Sequence, residues 1–273
     1  MRIAIVTDSH LAPSALTCNA NWRAAGEYVA RSSSDLTVHL GDITLDAASD
    51  SSQLEAARAL CEPWPTPFRF LPGNHDIGDN PPGPDYCAQQ PLEEKLLQRF
   101  RVAFGPDYWS AAVDRWFVIG LNAQLLGSNS GLETEQYRWL GECVGEAGKR
   151  PVALVLHKPL FQNTREDAAP HLRYVPLGPR RRLLDLLAGV NLRIVLSGHV
   201  HQYLDRIIDG VRHIWIPSTA FFLPDSIRER VGEKVTGLGL IELSGEGYRF
   251  DLVCPDGLVR NNVVEQSFYN VLK

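Results

Sequence analysis

The run Ile3-Ala4-Ile5-Val6-Thr7-Asp8-Ser9-His10 joins a short apolar, β-branched segment to a carboxylate and an imidazole. An apolar run of that length, closed by polar residues, reads as a buried strand, and residues just past a strand's carboxyl end stand where open α/β sheets hold their ligands. The same unit recurs along the chain. Leu36 to Leu40 leads into Gly41-Asp42, and Phe68 to Leu71 into Gly73-Asn74-His75-Asp76. Val152 to Leu156 leads into His157, and Ile194 to Leu196 into Gly198-His199-Val200-His201. Stretches of helical spacing fill the intervals, at Trp22 to Ala30, Leu54 to Leu60, Leu92 to Phe104, Glu135 to Val144 and Arg181 to Leu187. Alternation of this kind predicts parallel strands joined by right-handed helical crossovers, with the carboxyl ends of neighbouring strands along one edge. Residues distant in sequence would meet there.

The pattern changes after Trp109. Ala111 to Ile119 reads as a hairpin, and Arg206 to Ile216 carries Asp209-Gly210 between two apolar runs, a strong hairpin signal. Further strands are expected at Gly237 to Leu243 and Tyr248 to Val253. The expected fold is α/β: two stacked mixed β-sheets flanked by helices, an α/β/β/α sandwich. Neither an internal repeat nor a linker divides the sequence, so residues 1–273 are expected to form one domain. Gly78 to Pro91 and Phe161 to Pro179 are rich in turn formers, and loops of that length are either functional or plain solvated excursions.

Composition narrows the class. With 44% hydrophobic and 22% charged residues the 273-residue chain lies in the globular range. The formal net charge is −5 and the only tight basic run is Arg180-Arg181-Arg182, so the basic stripe of a nucleic-acid reader is missing and nucleic acid is not the expected partner. Cys18, Cys61, Cys87, Cys143 and Cys254 lack C-x-x-C spacing and are odd in number, which reads as reduced thiols. Asp8 interrupts the first apolar run too early for a signal peptide, and no later run is long enough to span a bilayer. The expected setting is cytoplasmic.

Each ligand-like residue is ambiguous alone. A lone His beside a strand is more often structural, and Asp after Gly commonly starts a turn. What resists the bland reading is their joint placement: Asp8, His10, Asp42, Asn74, His157, His199 and His201 all close strands, in order. Carboxylates, an amide oxygen and imidazoles without thiolates are the donor set of intermediate divalent metals in sites that keep open positions. The set is too large for one ion with a free position. It suits two ions sharing a carboxylate roughly 3.5–4 Å apart, the arrangement used for in-line displacement at phosphorus.

The ordered blocks D-x-H, G-D, G-N-H-D, a lone His after an apolar strand, and G-H-x-H resemble the calcineurin-like metallophosphoesterase family from Asp8 to His201. The resemblance implies that Asp8, His10, Asp42 and His201 hold one metal and that Asn74, His157, His199 and Asp42 hold the other, with Asp42 as the bridge. Chain length and block spacing are similar to the bacterial cyclic-nucleotide phosphodiesterases of that family. The implied function is a dinuclear phosphodiesterase acting on a small phosphate ester such as a 3′,5′-cyclic nucleotide by attack of a metal-bridging hydroxide. A phosphomonoesterase or nuclease of the same family is the alternative enzyme, and a scaffold that lost catalysis is the alternative from another class. The two ions could be iron, manganese, zinc or cobalt, divalent or trivalent.

Asn74 and His75 are the candidates for contact with the substrate phosphate. His75 is also the candidate acid for the leaving oxygen, with Asp76 orienting it. His39 and His213 read as structural, while His171 with Arg165, Arg173 and Tyr174 reads as a solvated loop that could meet substrate. Arg180 to Arg182 read as the exposed start of a helix, and Asn122 as a residue that could line the mouth. Oligomeric state stays open, since Trp116, Phe221 and Phe222 suit either a homo-oligomer surface or internal packing.

Overall fold

Strand β1 (Arg2–Val6) sends Ile3 and Ile5 to one face and Ala4 and Val6 to the other, and both faces are buried. Period-two alternation with two apolar faces puts a strand inside a layered core. The computed structural model describes residues 1–80 and 90–271 and bears this out. After β1 come α1 (Leu16–Arg31), β2 (Leu36–His39), α2 (Ser52–Cys61), β3 (Phe68–Phe70), the single turn α3 (Asn74–Ile77) and α4 (Glu94–Phe104). The second half adds β4 (Trp109–Val113), β5 (Trp116–Leu121), α5 (Gly131–Ala147), β6 (Pro151–Leu156), α6 (Leu177–Leu187) and β7 (Asn191–Ser197). The hairpin β8 (Leu204–Ile208) and β9 (Val211–Trp215) follows, then β10 (Phe221–Phe222), β11 (Leu238–Ser244), β12 (Gly247–Val253) and β13 (Asn261–Asn262).

These strands form two mixed sheets. One has the order β12-β11-β1-β2-β3, with β1, β2 and β3 parallel and β11 antiparallel to its neighbours. The other has the order β4-β5-β6-β7-β9-β8, parallel from β5 through β9 with an antiparallel hairpin partner at each edge. Ile3, Ile5 and Val38 of the first sheet pack against Val118, Val155 and Leu196 of the second, and Trp116 closes this central layer. The outer face of the first sheet is covered by α1, α2 and α4 through Trp22, Leu54, Leu97 and Phe100. The outer face of the second is covered by α5 and α6 through Leu140, Leu183 and Leu187. At about 1.5–3 kcal/mol for each large apolar side chain taken fully out of water, these layers are what hold the sheets face to face.

The turn between β8 and β9 is legible in its backbone. Asp209 and Gly210 have φ of 52° and 78°, the left-handed pair a two-residue hairpin loop demands. Other expectations need correction. Helix α1 starts at Leu16 rather than Trp22, because its polar first turns are buried: Asn19 donates to Ala12 O, and Asn21 donates to the carbonyls of Thr219, Ala220 and Val259. Helix α6 begins at Leu177 and includes Pro179, tolerated because a first-turn residue needs no N–H partner. Arg180 is not exposed; it is 2% accessible and donates to Leu160 O and Asp167 O, while Arg181 and Arg182 do face solvent. Asn122 is fully buried, bound to Asp107 and Gln136, and lines no mouth. Trp116 and Phe221 pack inside rather than offering a surface.

Cys18, Cys61 and Cys143 are buried and Cys254 is exposed, all as free thiols; Cys87 lies outside the described residues. Among the described residues no helix is long and apolar enough to cross a membrane.

Candidate metal centre

The carboxyl ends of β1, β2, β3, β6 and β7 come from both sheets, so the ligand-like residues meet across the gap between two sheet edges rather than along one. Their backbone is unusual. Asp8, His10, Asp42, His199 and His201 have φ of 51°, 46°, 52°, 68° and 53°. Left-handed conformation at a non-glycine residue costs of order 1–3 kcal/mol and persists only where the surroundings enforce it. Here neighbouring loops do so: Asp8 N donates to Gly41 O at 2.9 Å, His10 N to Asp42 O at 3.1 Å, and Gly198 N to His157 O at 2.8 Å. Two glycines allow the loops to close. A Cβ on Gly73 would stand 2.1 Å from Asp42 Oδ1, and one on Gly198 would stand 2.0 Å from Thr7 Oγ1 and 2.6 Å from Asp8 Oδ2. G-N-H-D and G-H-x-H thus carry glycine so that backbone can touch the carboxylates.

Two triads result, Asp8/His10/His201 and Asp42/His157/His199, each buried and each with its donor atoms within 4.8 Å of one another. In the first, His201 Nε2 lies 3.2 Å from Asp8 Oδ1 and 3.2 Å from His10 Nε2. In the second, His157 Nε2 lies 3.3 Å from Asp42 Oδ2, 3.1 Å from His199 Nδ1 and 3.3 Å from Asn74 Oδ1. Ligand atoms about 2.0–2.2 Å from a common ion stand roughly 3.0–3.5 Å apart, so both triads fit one.

Ring orientation makes the same point. His157 Nδ1 faces Leu40 O at 3.2 Å, His201 Nδ1 faces Phe221 O at 3.0 Å and His199 Nε2 faces Leu172 O at 3.2 Å. Donating an N–H to each carbonyl fixes the tautomer and leaves a lone pair on the other nitrogen, aimed into the centre. Lone pairs of His10 and His201 facing each other, and a buried Asp8 Oδ1 with no hydrogen-bond partner, are unfavourable unless a cation joins them.

Electrostatics keep Asp8, His10, Asp42 and His199 in ligating form, with His157 the exception. Burial would raise the Asp8 and Asp42 carboxyls, but the charges of His201 beside Asp8 and His157 beside Asp42 hold both below the ordinary range. Burial pushes His10 and His199 down, reinforced by His75 and His157 respectively, so both are neutral. Against burial, the Asp42 charge and hydrogen bond push His157 up to about 9, so cation binding there would release a proton.

Asp76 does not orient His75. Its carboxylate accepts from Gly73 N, Ile43 N, Thr44 N and Thr44 Oγ1 at 2.8–3.2 Å, tying the G-D loop to the G-N-H-D turn, and burial followed by Asp42 raises it to about 6. His75 N donates to Asp42 Oδ1 at 2.9 Å, and its ring stands edge-on to His10 at 5.0 Å. His39 is structural as expected: Gly41 N donates to its Nδ1, and its Nε2 meets Ser9 Oγ at 2.8 Å, linking the exits of β1 and β2. His213 packs on Phe161 at 4.8 Å.

Two cationic residues escaped the sequence reading. Lys158, 1% accessible, is anchored to Asp79 and to Asn80 Oδ1 next to His157. Only its position after His157 could have pointed to it. Arg228 Nη1 donates to His199 O at 3.1 Å; burial and then Arg173 push its guanidinium down to about 10, while Asp8 and Asp42 pull upward. It lies in a loop that no motif marks. The loop from Phe161 onward also proves less solvated than its composition suggests, since Tyr174 is buried and Leu172 touches His199.

A family model described as calcineurin-like phosphoesterase matches residues 1–203. The chain is 29% identical over 223 residues to a 3′,5′-cyclic adenosine monophosphate phosphodiesterase CpdA of Pseudomonas aeruginosa, covering 78% of this chain and 71% of that protein. It is 29% identical over 152 residues to the serine/threonine-protein phosphatase CPPED1 of Danio rerio, covering 53% of this chain and 45% of that one. The fold matches the crystal structure of a dimetal phosphatase from Danio rerio with a TM-score of 0.66 at 14% identity, over 92% of this chain and 95% of that one.

Proposed function

Because this chain belongs to the calcineurin-like phosphoesterase family, we propose that it hydrolyses a small phosphodiester, with a 3′,5′-cyclic nucleotide as first-choice substrate. The observation that carries the reading is the pair of triads, whose lone pairs and ionised carboxylates converge on two adjacent points. Similarity to the cyclic adenosine monophosphate phosphodiesterase supports the substrate choice. Two ions drawn from iron, manganese, zinc and cobalt would supply Lewis acidity, activating the nucleophile and offsetting charge that develops at phosphorus.

This chain's own residues do the rest. Asp42, facing His157 with one oxygen and His75 N with the other, is held in place to serve both ions. Asn74, with its Oδ1 toward His157, joins the second set and keeps its amide nitrogen for a phosphate oxygen. His75 is half-buried, with its N–H on Asp42 and its ring edge-on to His10, placed to give a proton to the leaving oxygen. The reading takes residues 1–273 as one catalytic unit acting in a reducing cytoplasm on a small molecule, and the four free thiols among the described residues and the lack of a basic stripe in the sequence support it.

The test is a hydrolysis panel on manganese-supplemented protein: bis-aryl phosphate, aryl monophosphate, cyclic adenosine monophosphate and single-stranded DNA. The expected result is faster cleavage of the bis-aryl and cyclic diesters than of the monoester. Rapid cleavage of the monoester alone would overturn the phosphodiesterase assignment in favour of the phosphomonoesterase. Inactivity with no bound metal would favour the scaffold.

A further inference from the structure

The first half of the metal centre leans on chain that lies beyond residues 1–203, the part matched by the family model. Phe221 lays its ring 4.8 Å from the imidazoles of both His10 and His201, tilted by 30° and 34°, and its carbonyl oxygen faces His201 Nδ1 at 3.0 Å. Ser218 grips the same half from its backbone: Oγ donates to Asp8 O at 2.7 Å and accepts from Ala220 N and Phe221 N. Residues 218–222 therefore touch all three members of the first triad. In the second half, His157 and His199 face Leu40 O and Leu172 O, both within the matched part.

What fixes residues 218–222 is a second segment, 259–268. Strands β10 and β13 pair through two residues each, Phe221 with Asn261 and Phe222 with Asn262, too little to hold a sheet unaided. Side chains complete the joint. Asn261 Nδ2 donates to Ala220 O at 3.2 Å, and the buried Asn21 donates to Thr219 O, Ala220 O and Val259 O while accepting from Val259 N. Thr17 Oγ1 donates to Gln266 Oε1 at 2.7 Å, and the buried Phe268 ring stands 5.9 Å from that of Phe221. Val263 and Phe268 join Phe221, Ala12, Ala15 and Leu45 in an apolar cluster separate from the layers that hold the two sheets.

An imidazole ligand is held only as firmly as the groups behind it, and loss of such support costs about 10–100-fold in metal affinity. Here support runs from Phe268 through Phe221 to His10 and His201. A cation that joins those rings also fixes them against Phe221, so contacts that favour the ion favour the docked segment, and linkage makes the two effects equal. We propose that residues 259–268 are a positioning element of the first half, with Phe268 acting through Phe221. Docking of this segment and binding of an ion by Asp8, His10 and His201 then stabilise each other. The inference rests on the phosphoesterase reading in that the triads hold metal.

Manganese titration of the full chain in competition with a chelating dye gives the affinity of each half. Phe268→Ala is expected to weaken one of the two about tenfold and leave the other unchanged, and Phe268→Leu to recover most of the loss. Hydrogen exchange reads the reverse direction without turnover: manganese should slow exchange at the amides of residues 259–268, an effect absent from His10→Ala and kept in His199→Ala. A merely structural Phe268 would lower stability while changing both affinities together or neither. Either result overturns the coupling, as does exchange at 259–268 that ignores manganese. If Phe268→Ala fails to fold, exchange in the native, His10→Ala and His199→Ala proteins decides alone. Native protein that binds no manganese overturns the phosphoesterase reading and the coupling together, whereas two bound ions with an unaffected segment overturn the coupling only.

Discussion

The two halves of the centre use the same chemistry but differ in what stands beside their imidazoles. Beside His10 and His201 stands an aromatic wall: the Phe221 ring lies 4.8 Å from both imidazoles and is itself backed by Phe268, while Asp8 Oδ2 accepts from Thr7 Oγ1 and His199 N. Around Asp42, His157 and His199 the neighbours are charged or polar, with Lys158, Arg228 and Asn74 close by. An aromatic wall stiffens a ligand set and excludes water, whereas a cationic wall attracts an anion. That contrast predicts that the first half retains its ion more tightly and that the second meets the substrate, and each prediction below challenges the division.

Asp42→Ala should have the largest effect, because on the proposed reading Asp42 serves both halves. Bound metal measured by elemental analysis should fall by both equivalents, and kcat by at least about 10³-fold, the upper scale for removing a transition-state charge stabiliser. His10→Ala and His199→Ala should each lose one equivalent; loss of both from either would show that the halves do not bind separately. His75→Ala should retain both metals and lower kcat by about 10²-fold or more on an ester with a poor leaving group, the usual range for general acid catalysis. Unchanged turnover on that ester would remove the acid role.

Gly198→Ala probes the backbone beneath the first half. Its Cβ would collide with Thr7 and Asp8 at 2.0 and 2.6 Å, so urea denaturation should show a loss of about 3 kcal/mol, the upper end for overpacking. A smaller loss would mean that the loops yield more easily than their left-handed ligands suggest.

His213 on Phe161 is the control for His10 and His201 on Phe221, an imidazole against a phenyl ring with no metal-binding carboxylate nearby. Burial first, then Arg206, pushes it down to about 4, so the unfolded chain binds the extra proton between about pH 6.5 and 4. Stability from this group is therefore present near neutrality and lost as pH falls through that window, roughly 2 kcal/mol between pH 7 and pH 5. His213→Gln should flatten that part of the stability profile, and an unchanged slope would reject the assignment.

Sequence reading reached the strands with most assurance where apolar runs were short and sharply closed, as at Ile3 to Val6 and Val152 to Leu156. It was least informative where polar residues are buried by specific partners. Asn19, Asn21, Arg180 and Lys158 look like surface residues in any pattern of polarity, and their burial follows from carbonyls and carboxylates contributed by remote segments. Asp76 misled for the same reason: adjacency to His75 suggested a pair, but its oxygens accept from the loop after β2 and from Gly73 N of its own turn.

By itself the sequence determined the alternation of strands and helices, the residue types of the metal centre and the strand end at which each stands, because periodicity and donor chemistry are local properties. The tertiary structure alone decided that the donors come from two facing sheets, that Phe221 walls one half, and that Arg228 reaches the backbone of His199 in the other. Those facts depend on how separate chain segments pack across a gap, and no local pattern encodes which carbonyl or ring will lie opposite a given side chain.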